Sequence, residues 1–299
     1  MKFFNKFSIT LIGAVAIVAT VPIAFVAIST KVPSEFAVTQ AKAEDFLTQG
    51  NEKYEKGDYQ GAVAAYTQAI ELNPNYAEAY NNRGLARVDL GDKQGALADY
   101  NEALRINPND AEVYNNRGNA RVDLGEKQGA LADYDEALQI NPNFADAYNN
   151  RGNARDDLED KQGALADYNE ALRINPNHAE AYNGRGNALG DSGDKQGALA
   201  DYKEALRINP NFAEAYLNLG VTRAELGDKQ GAVTNYNEAL RINPNFAEAY
   251  LNRGFTRAEL GDKPGAIQDY HKAADLYQQQ GKKDDYQDAL NKIREFQKK

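Results

Sequence analysis

Apolar and small side chains along this chain fall into two short helical patterns that alternate. Between Glu78 and Leu90, Tyr80 and Gly84 mark one side of a helix, while Asn82, Leu85 and Asp89 take the opposite side. A second stripe follows, with Ala96, Tyr100, Ala103 and Leu104 at i, i+4, i+7 and i+8. Between them, Gly91 suits the left-handed position that ends a helix, and Asp92 can cap the next one. Asn107 then meets Pro108, which disfavours helical geometry in the residue before it and stops the second helix. Residues 77–110 therefore read as a helix-turn-helix hairpin. The hairpin returns in strict register. Asn-Pro recurs every 34 residues, at 73–74, 107–108, 141–142, 175–176, 209–210 and 243–244. Gly84, Gly118, Gly152, Gly186, Gly220 and Gly254 keep the same step, as do Ala96, Ala130, Ala164, Ala198, Ala232 and Ala266.

A fixed period of this length marks an array in which each unit buries its apolar face on its neighbours. The pattern Tyr80, Gly84, Ala96, Tyr100, Ala103, Pro108 resembles the tetratricopeptide repeat family. The resemblance implies an all-α, right-handed α-solenoid of about seven 34-residue helix-turn-helix repeats. The units are 43–76, 77–110, 111–144, 145–178, 179–212, 213–246 and 247–280. Residues 281–299 add a C-terminal capping helix with Tyr286, Leu290 and Ile293 on one side, since an array needs a soluble end. The chain thus divides into an N-terminal segment (1–43), the repeats (44–280) and the cap (281–299). The wording "YNNRG…LGDKQGALADYNEALRINPN" is also similar to repeats of cyanobacterial proteins. Two units depart from the pattern. Glu159 stands where the others have the turn glycine, and the fifth unit carries Gly184, Gly186, Gly190 and Gly193 within or beside its first helix.

Arginine interrupts the inward stripe of the first helices, at 83, 117, 151, 185 and 253, where relatives usually carry an apolar residue. Sixteen residues later stand Asp99, Asp133, Asp167, Asp201 and Asp269. The first unit has Gln49 with Ala65 and the sixth has Leu219 with Asn235, so the two residues come and go together. This covariation predicts an Arg–Asp pair inside each hairpin, acting as a registry device. On that reading Arg117→Leu alone costs more than Arg117→Leu with Asp133→Asn. A second arginine slot, at 87, 121, 155, 223 and 257, finds no clear partner in the sequence.

By the resemblance, the first helices form the concave wall of the superhelix. The side opposite Tyr80 and Gly84 then lines a groove bearing Asn82, Asn116, Asn150, Asn218 and Asn252 in one row, and Asn119, Asn153 and Asn187 in a second. Asp89, Asp123, Asp157 and Asp191 follow, with Glu225 and Glu259 in the last two units, where Val221 and Phe255 make the groove apolar. An asparagine amide both donates and accepts, so a row of them could hold an extended peptide backbone without selecting its side chains. The acids would add a preference for cationic ligands, or serve only solubility. The expected function is a non-catalytic protein–protein interaction scaffold binding an extended peptide, a basic one where the acids set the preference. The alternative is a self-associating or assembly module that uses the convex face or the end units.

Composition narrows the partners. The formal charge of the 299 residues is −10, and residues 44–299 carry −13, which repels phosphate backbones and argues against nucleic acid. No cysteine is present, which excludes disulfides, thiolate metal sites and cysteine nucleophiles. Beyond residue 43 the single serine is Ser192 and the histidines are His178 and His271, far apart in sequence. No nucleophile motif, phosphate loop or dinucleotide fingerprint accompanies them. The expectation is no catalysis, no cofactor and no metal. The first 43 residues differ from the rest. Lys2 and Lys6 precede an uncharged stretch from Phe7 to Thr30, and Ala41-Lys42-Ala43 fits a signal-peptidase site. This predicts an extracytoplasmic location, periplasm or lumen, with the membrane touched only through the N-terminal segment. The body is then either released by cleavage near Ala43 or tethered by residues 7–30, and the mass of the mature chain separates the two.

Overall fold

The computed structural model describes residues 32–297 and contains only helices among them. The apolar stretch 7–30 lies outside the described residues, and none of the described helices is long and apolar enough to cross a membrane.

Fifteen helices follow one another as hairpins plus a cap. They are α1 Val32–Glu55 and α2 Tyr59–Leu72; α3 Ala77–Asp89 and α4 Lys93–Ile106; α5 Ala111–Asp123 and α6 Lys127–Ile140; α7 Ala145–Asp156 and α8 Lys161–Ile174. Then come α9 Ala179–Asp191 and α10 Lys195–Ile208; α11 Ala213–Glu225 and α12 Lys229–Ile242; α13 Ala247–Glu259 and α14 Lys263–Gln279; and the cap α15 Lys283–Gln297. Each helix packs on the next one in sequence, and first helices of adjacent hairpins also touch, from α1 with α3 through to α11 with α13. The first helices therefore make one continuous wall. One boundary differs from the sequence expectation: α1 starts at Val32, so Ala41-Lys42-Ala43 sits inside a helix, with Ala43 fully buried.

Local chemistry explains the repeated turns. The Asp92 side chain caps α4 by accepting from the Gly95 N–H at 3.0 Å, and Asp58, Asp160, Asp194, Asp228 and Asp262 do the same for their helices. One residue before each of these caps, the chain takes positive φ at Gly57, Gly91, Gly193, Gly227 and Gly261, while Glu159 holds φ 64° without being glycine. Side-chain crowding in the left-handed region costs roughly 1–3 kcal/mol. Glu159→Gly is therefore expected to stabilise the array by about 1 kcal/mol, after the added freedom of the unfolded chain is subtracted. A chemical-denaturation midpoint that stays put or falls would contradict this.

The core of each hairpin is a tyrosine ring laid on a glycine. Tyr66, Tyr100, Tyr134, Tyr168, Tyr202, Tyr236 and Tyr270 are each at most 3% exposed. A Cβ at Gly118 would come within 2.5 Å of the Tyr134 ring, and one at Gly84 within 2.6 Å of Tyr100, so any larger residue there forces the helices apart. The fifth hairpin adds a second close approach, for a Cβ at Gly184 would lie 2.7 Å from the Tyr168 ring of the preceding hairpin. Despite its glycines, α9 runs unbroken from Ala179 to Asp191.

Candidate functional site

The arginine stripe is an internal clamp. Arg117 Nη2 reaches Asp133 Oδ1 at 2.5 Å, and the same geometry joins Arg83 to Asp99, Arg151 to Asp167, Arg185 to Asp201 and Arg253 to Asp269. The pairs lie within hairpins, as the covariation predicted. The second arginine has the same partner. Arg121 Nη1 donates to Asp133 Oδ2 at 2.7 Å and to the Gly129 carbonyl at 3.0 Å, while its Nε lies 3.9 Å from the helix-start acid Glu126. One buried carboxylate thus holds two cations, and the expected ordering of the Arg117→Leu single and double variants no longer follows, because Arg121 keeps Asp133 paired.

The first arginine also ties neighbouring hairpins. Arg83 Nη1 donates to Thr67 of the preceding hairpin, Arg117 to Asn101, Arg151 to Asp135, Arg185 to Asn169 and Arg253 to Asn237. Each guanidinium further lies 5.3–5.4 Å from the centroid of the tyrosine ring three residues before it. The sixth hairpin breaks every part together: Leu219 replaces arginine, Asn235 replaces aspartate, and Lys203 stands where the acceptor would be. Leu219 instead joins an apolar cluster with Ala198, Tyr202, Leu189, Leu199 and Leu206, and Arg223 donates to Asn235 at 2.8 Å.

On the wall of first helices, four of the predicted asparagines donate across hairpin boundaries to asparagines of the preceding hairpin, most of which the sequence reading did not single out. Asn82 Nδ2 donates to Asn51 at 3.1 Å, Asn116 to Asn81 at 3.1 Å, Asn150 to Asn115 at 3.0 Å, and Asn218 to both Asn183 and Asn187. Asn252 is half-buried on the same face of α13. The second row is anchored from beneath, as Tyr134, Tyr168 and Tyr202 hydroxyls donate to Asn119, Asn153 and Asn187 at 2.7–2.8 Å. Their oxygens are thus engaged, while Asn119 and Asn153 themselves are exposed.

The groove acids have partners that sequence reasoning missed. Lys93 meets Asp123 at 3.3 Å, Lys127 meets Asp157 at 3.0 Å, and Lys161 meets Asp191 at 2.6 Å, each lysine opening the second helix of the hairpin before. Glu225 and Glu259 pair in the same way with Lys195 and Lys229. Asp89 accepts instead from the Tyr54 hydroxyl at 2.6 Å, and burial together with this acid pushes the Tyr54 phenol upward. The sequence signal was present, a lysine thirty residues before every groove acid but Asp89, which has Tyr59 there, but the acids themselves never drop out, so no joint absence exposed it. Val221 is half-buried and Phe255 is 51% exposed, an apolar element on the same wall.

Two clefts of about 210 Å³ repeat along this wall. One is lined by Asn51, Tyr54, Tyr66, Asn82 and Leu85, the other by Asn119, Val122, Asp123, Asn150, Asn153 and Asp157. Elsewhere, His178 caps α9, accepting the Ala181 N–H at 3.4 Å, with Nε2 facing Asp146 at 3.1 Å. Among the described residues no group of His and acid side chains is arranged to hold a metal ion.

A wall of stacked helical hairpins, with amide rungs between them and an Arg–Asp clamp inside five, defines a helical-repeat solenoid. A TPR repeat model matches residues 50–91, 84–125, 118–155, 186–227 and 222–261, and a tetratricopeptide repeat model matches 145–178. The chain belongs to the tetratricopeptide repeat family, whose members act as protein-interaction scaffolds. Rattus norvegicus Serine/threonine-protein phosphatase 5 is 46% identical over 44 residues, a stretch that spans 15% of this chain and 9% of that protein. Among solved structures, the MamA protein is 27% identical, with 57% of this chain and 93% of that one covered at a TM-score of 0.50. A tetratricopeptide repeat protein from Parabacteroides merdae is 21% identical over 84% of this chain and 99% of its own, with a TM-score of 0.68, and shows the shared fold.

Proposed function

We propose that this protein is a non-catalytic scaffold whose first-helix wall holds an extended segment of a partner protein. The observation that carries the reading is one kind of cleft, edged by amides, found at two hairpin boundaries of this wall, between the first and second hairpins and between the third and fourth. With their oxygens taken by tyrosine hydroxyls, Asn119, Asn153 and Asn187 keep amide N–H groups that suit the carbonyls of an extended backbone, which has no internal partners for them. The lysine partners counterbalance the groove acids, so any preference for basic segments rests on the overall negative charge of the repeats more than on these carboxylates.

Asn116→Ala combined with Asn150→Ala is expected to weaken partner capture about tenfold, which corresponds to about 1.4 kcal/mol, with little change in melting temperature. Crosslinking followed by quantitative pull-down measures this. Full retention of partners by that variant, with their loss on deleting residues 247–299, would instead favour assembly through the terminal units.

A further inference from the structure

The C-terminal end of the wall departs from the repeat. Pro108 and its equivalents stop the preceding second helices, but no Asn-Pro follows α14, which runs on to Gln279 before the chain turns at Gly281, φ 72°. The cap α15 packs along α14, and Leu251 of α13 shares its core clusters with Ala289, Leu290 and Ile293 of α15. A cleft of about 450 Å³ opens there, roughly twice the volume of each cleft between regular first helices. Phe246 and Leu251 give it an apolar floor over the buried Ala247 and Tyr277, and the rest of its lining is polar, with the amides of Asn243, Asn245, Asn252 and Gln280 at the rim. Gln280 reaches across to the Asn245 carbonyl at 3.5 Å. Phe255 stands one helical turn beyond Leu251 on α13, 51% exposed. The cleft also admits Glu248 and Asp285, neither ion-paired among the described residues, against one cation, Lys282, which rests 5.9 Å from the centre of the Tyr277 ring.

We propose that this cleft is the anchor subsite of the groove, taking one large aromatic side chain of an extended partner segment with basic residues beside it. The inference rests on the peptide-holding reading above and adds where, and by which side chain, the segment is fixed. Volume and lining suit a side chain that buries a large apolar body and offers a polar edge to amides. Such buried aromatic anchors commonly dominate the energy of an interface, while surrounding contacts set register. The unpaired Glu248 and Asp285 supply the charge complementarity for flanking lysine or arginine. Regular clefts along the wall are half as large and so hold backbone and small side chains.

The chain contains no tryptophan, so a peptide tryptophan reports on its own surroundings without background. The probe is a Gly/Ser/Lys peptide of a dozen residues with one central Trp, compared with the same peptide carrying Ala, against the full chain. The Trp peptide is expected to bind at least tenfold more tightly than the Ala peptide, with blue-shifted emission shielded from acrylamide. Gln280→Phe, which fills the cleft, and Leu251→Ser, which removes its floor, should each abolish the Trp advantage and the shift while leaving Ala-peptide affinity unchanged. Gln280→Phe should also leave the melting curve in place, whereas Leu251→Ser, which loosens the packing on the cap, should lower it. If the Trp peptide keeps its advantage in both variants, or gains none in the wild type, the anchor is wrong. The backbone-holding reading then survives wherever the Ala peptide binds and Asn116→Ala with Asn150→Ala weakens it. If neither peptide binds, both proposals fall.

Discussion

Replacing Asp133 with alanine is expected to cost about 3 kcal/mol and to lower the melting temperature of the whole array. The carboxylate is 2% exposed and faces two guanidiniums that are 17% and 23% exposed. Truncating it leaves both without their acid in a half-dry site, where breaking an ion pair costs roughly 3–5 kcal/mol if water is excluded. Contact of the arginines with solvent places the expectation at the lower end of that range. Asp133→Asn should cost far less, because the sixth hairpin already uses the amide: Arg223 donates to Asn235, with Leu219 filling the space of the missing arginine. Equilibrium denaturation of the two variants checks the ordering. Equal losses would mean that an uncharged acceptor does not replace the carboxylate, and that its charge is what holds the two guanidiniums.

Alkaline unfolding is the second large effect. Burial pushes the phenols of Tyr66, Tyr236 and Tyr270 up to about 12, and those of Tyr100, Tyr134, Tyr168 and Tyr202 higher still. In the unfolded chain these groups ionise near pH 10. The folded state therefore holds more protons than the unfolded one above that pH, and stability falls as pH rises. Each such tyrosine removes about 1.4 kcal/mol per pH unit between its unfolded and folded values. Several acting together exceed the total stability of an ordinary domain, roughly 5–15 kcal/mol, before pH 12. Below pH 10 their contribution is intact. Tyrosinate absorbance is expected to rise in two stages: exposed tyrosines first, then the seven repeat tyrosines in one step coincident with loss of helical circular dichroism. A single smooth titration near pH 10 with helices intact would show that the rings are open to hydroxide.

The fold was legible because a strict period carries its own phase: Asn-Pro, the turn glycines and the alanine stripe place helix ends to within a residue or so. The Arg–Asp clamp was legible for a narrower reason. Two units lack both residues, and only that joint absence distinguished pairing inside a hairpin from pairing across its boundary. Arg121 escaped because its partner was already assigned to Arg117, and one-to-one pairing hides a carboxylate that serves two cations. The Lys127–Asp157 rung escaped because the acid is present in every unit and the lysine is missing only from the first, where Tyr59 stands, so the two sides never disappear together. Gly184 was misleading in the opposite direction. Counted by helix propensity it weakens α9, yet the ring of Tyr168 fills the space a side chain would need. The enlarged C-terminal cleft had a visible cause, the missing Asn-Pro, but its size depends on where α15 settles, which no periodic rule supplies.

No side-chain bond described above joins residues more than 35 positions apart in sequence. Every fastening is thus local to a hairpin or its immediate neighbour, so the gene can lengthen or shorten by whole copies without any distant residue having to change in concert. The sixth hairpin is the exception that sets the unit of exchange. Leu219, Asn235 and Lys203 straddle two hairpins, and a duplication cut between them would strand an arginine opposite a lysine.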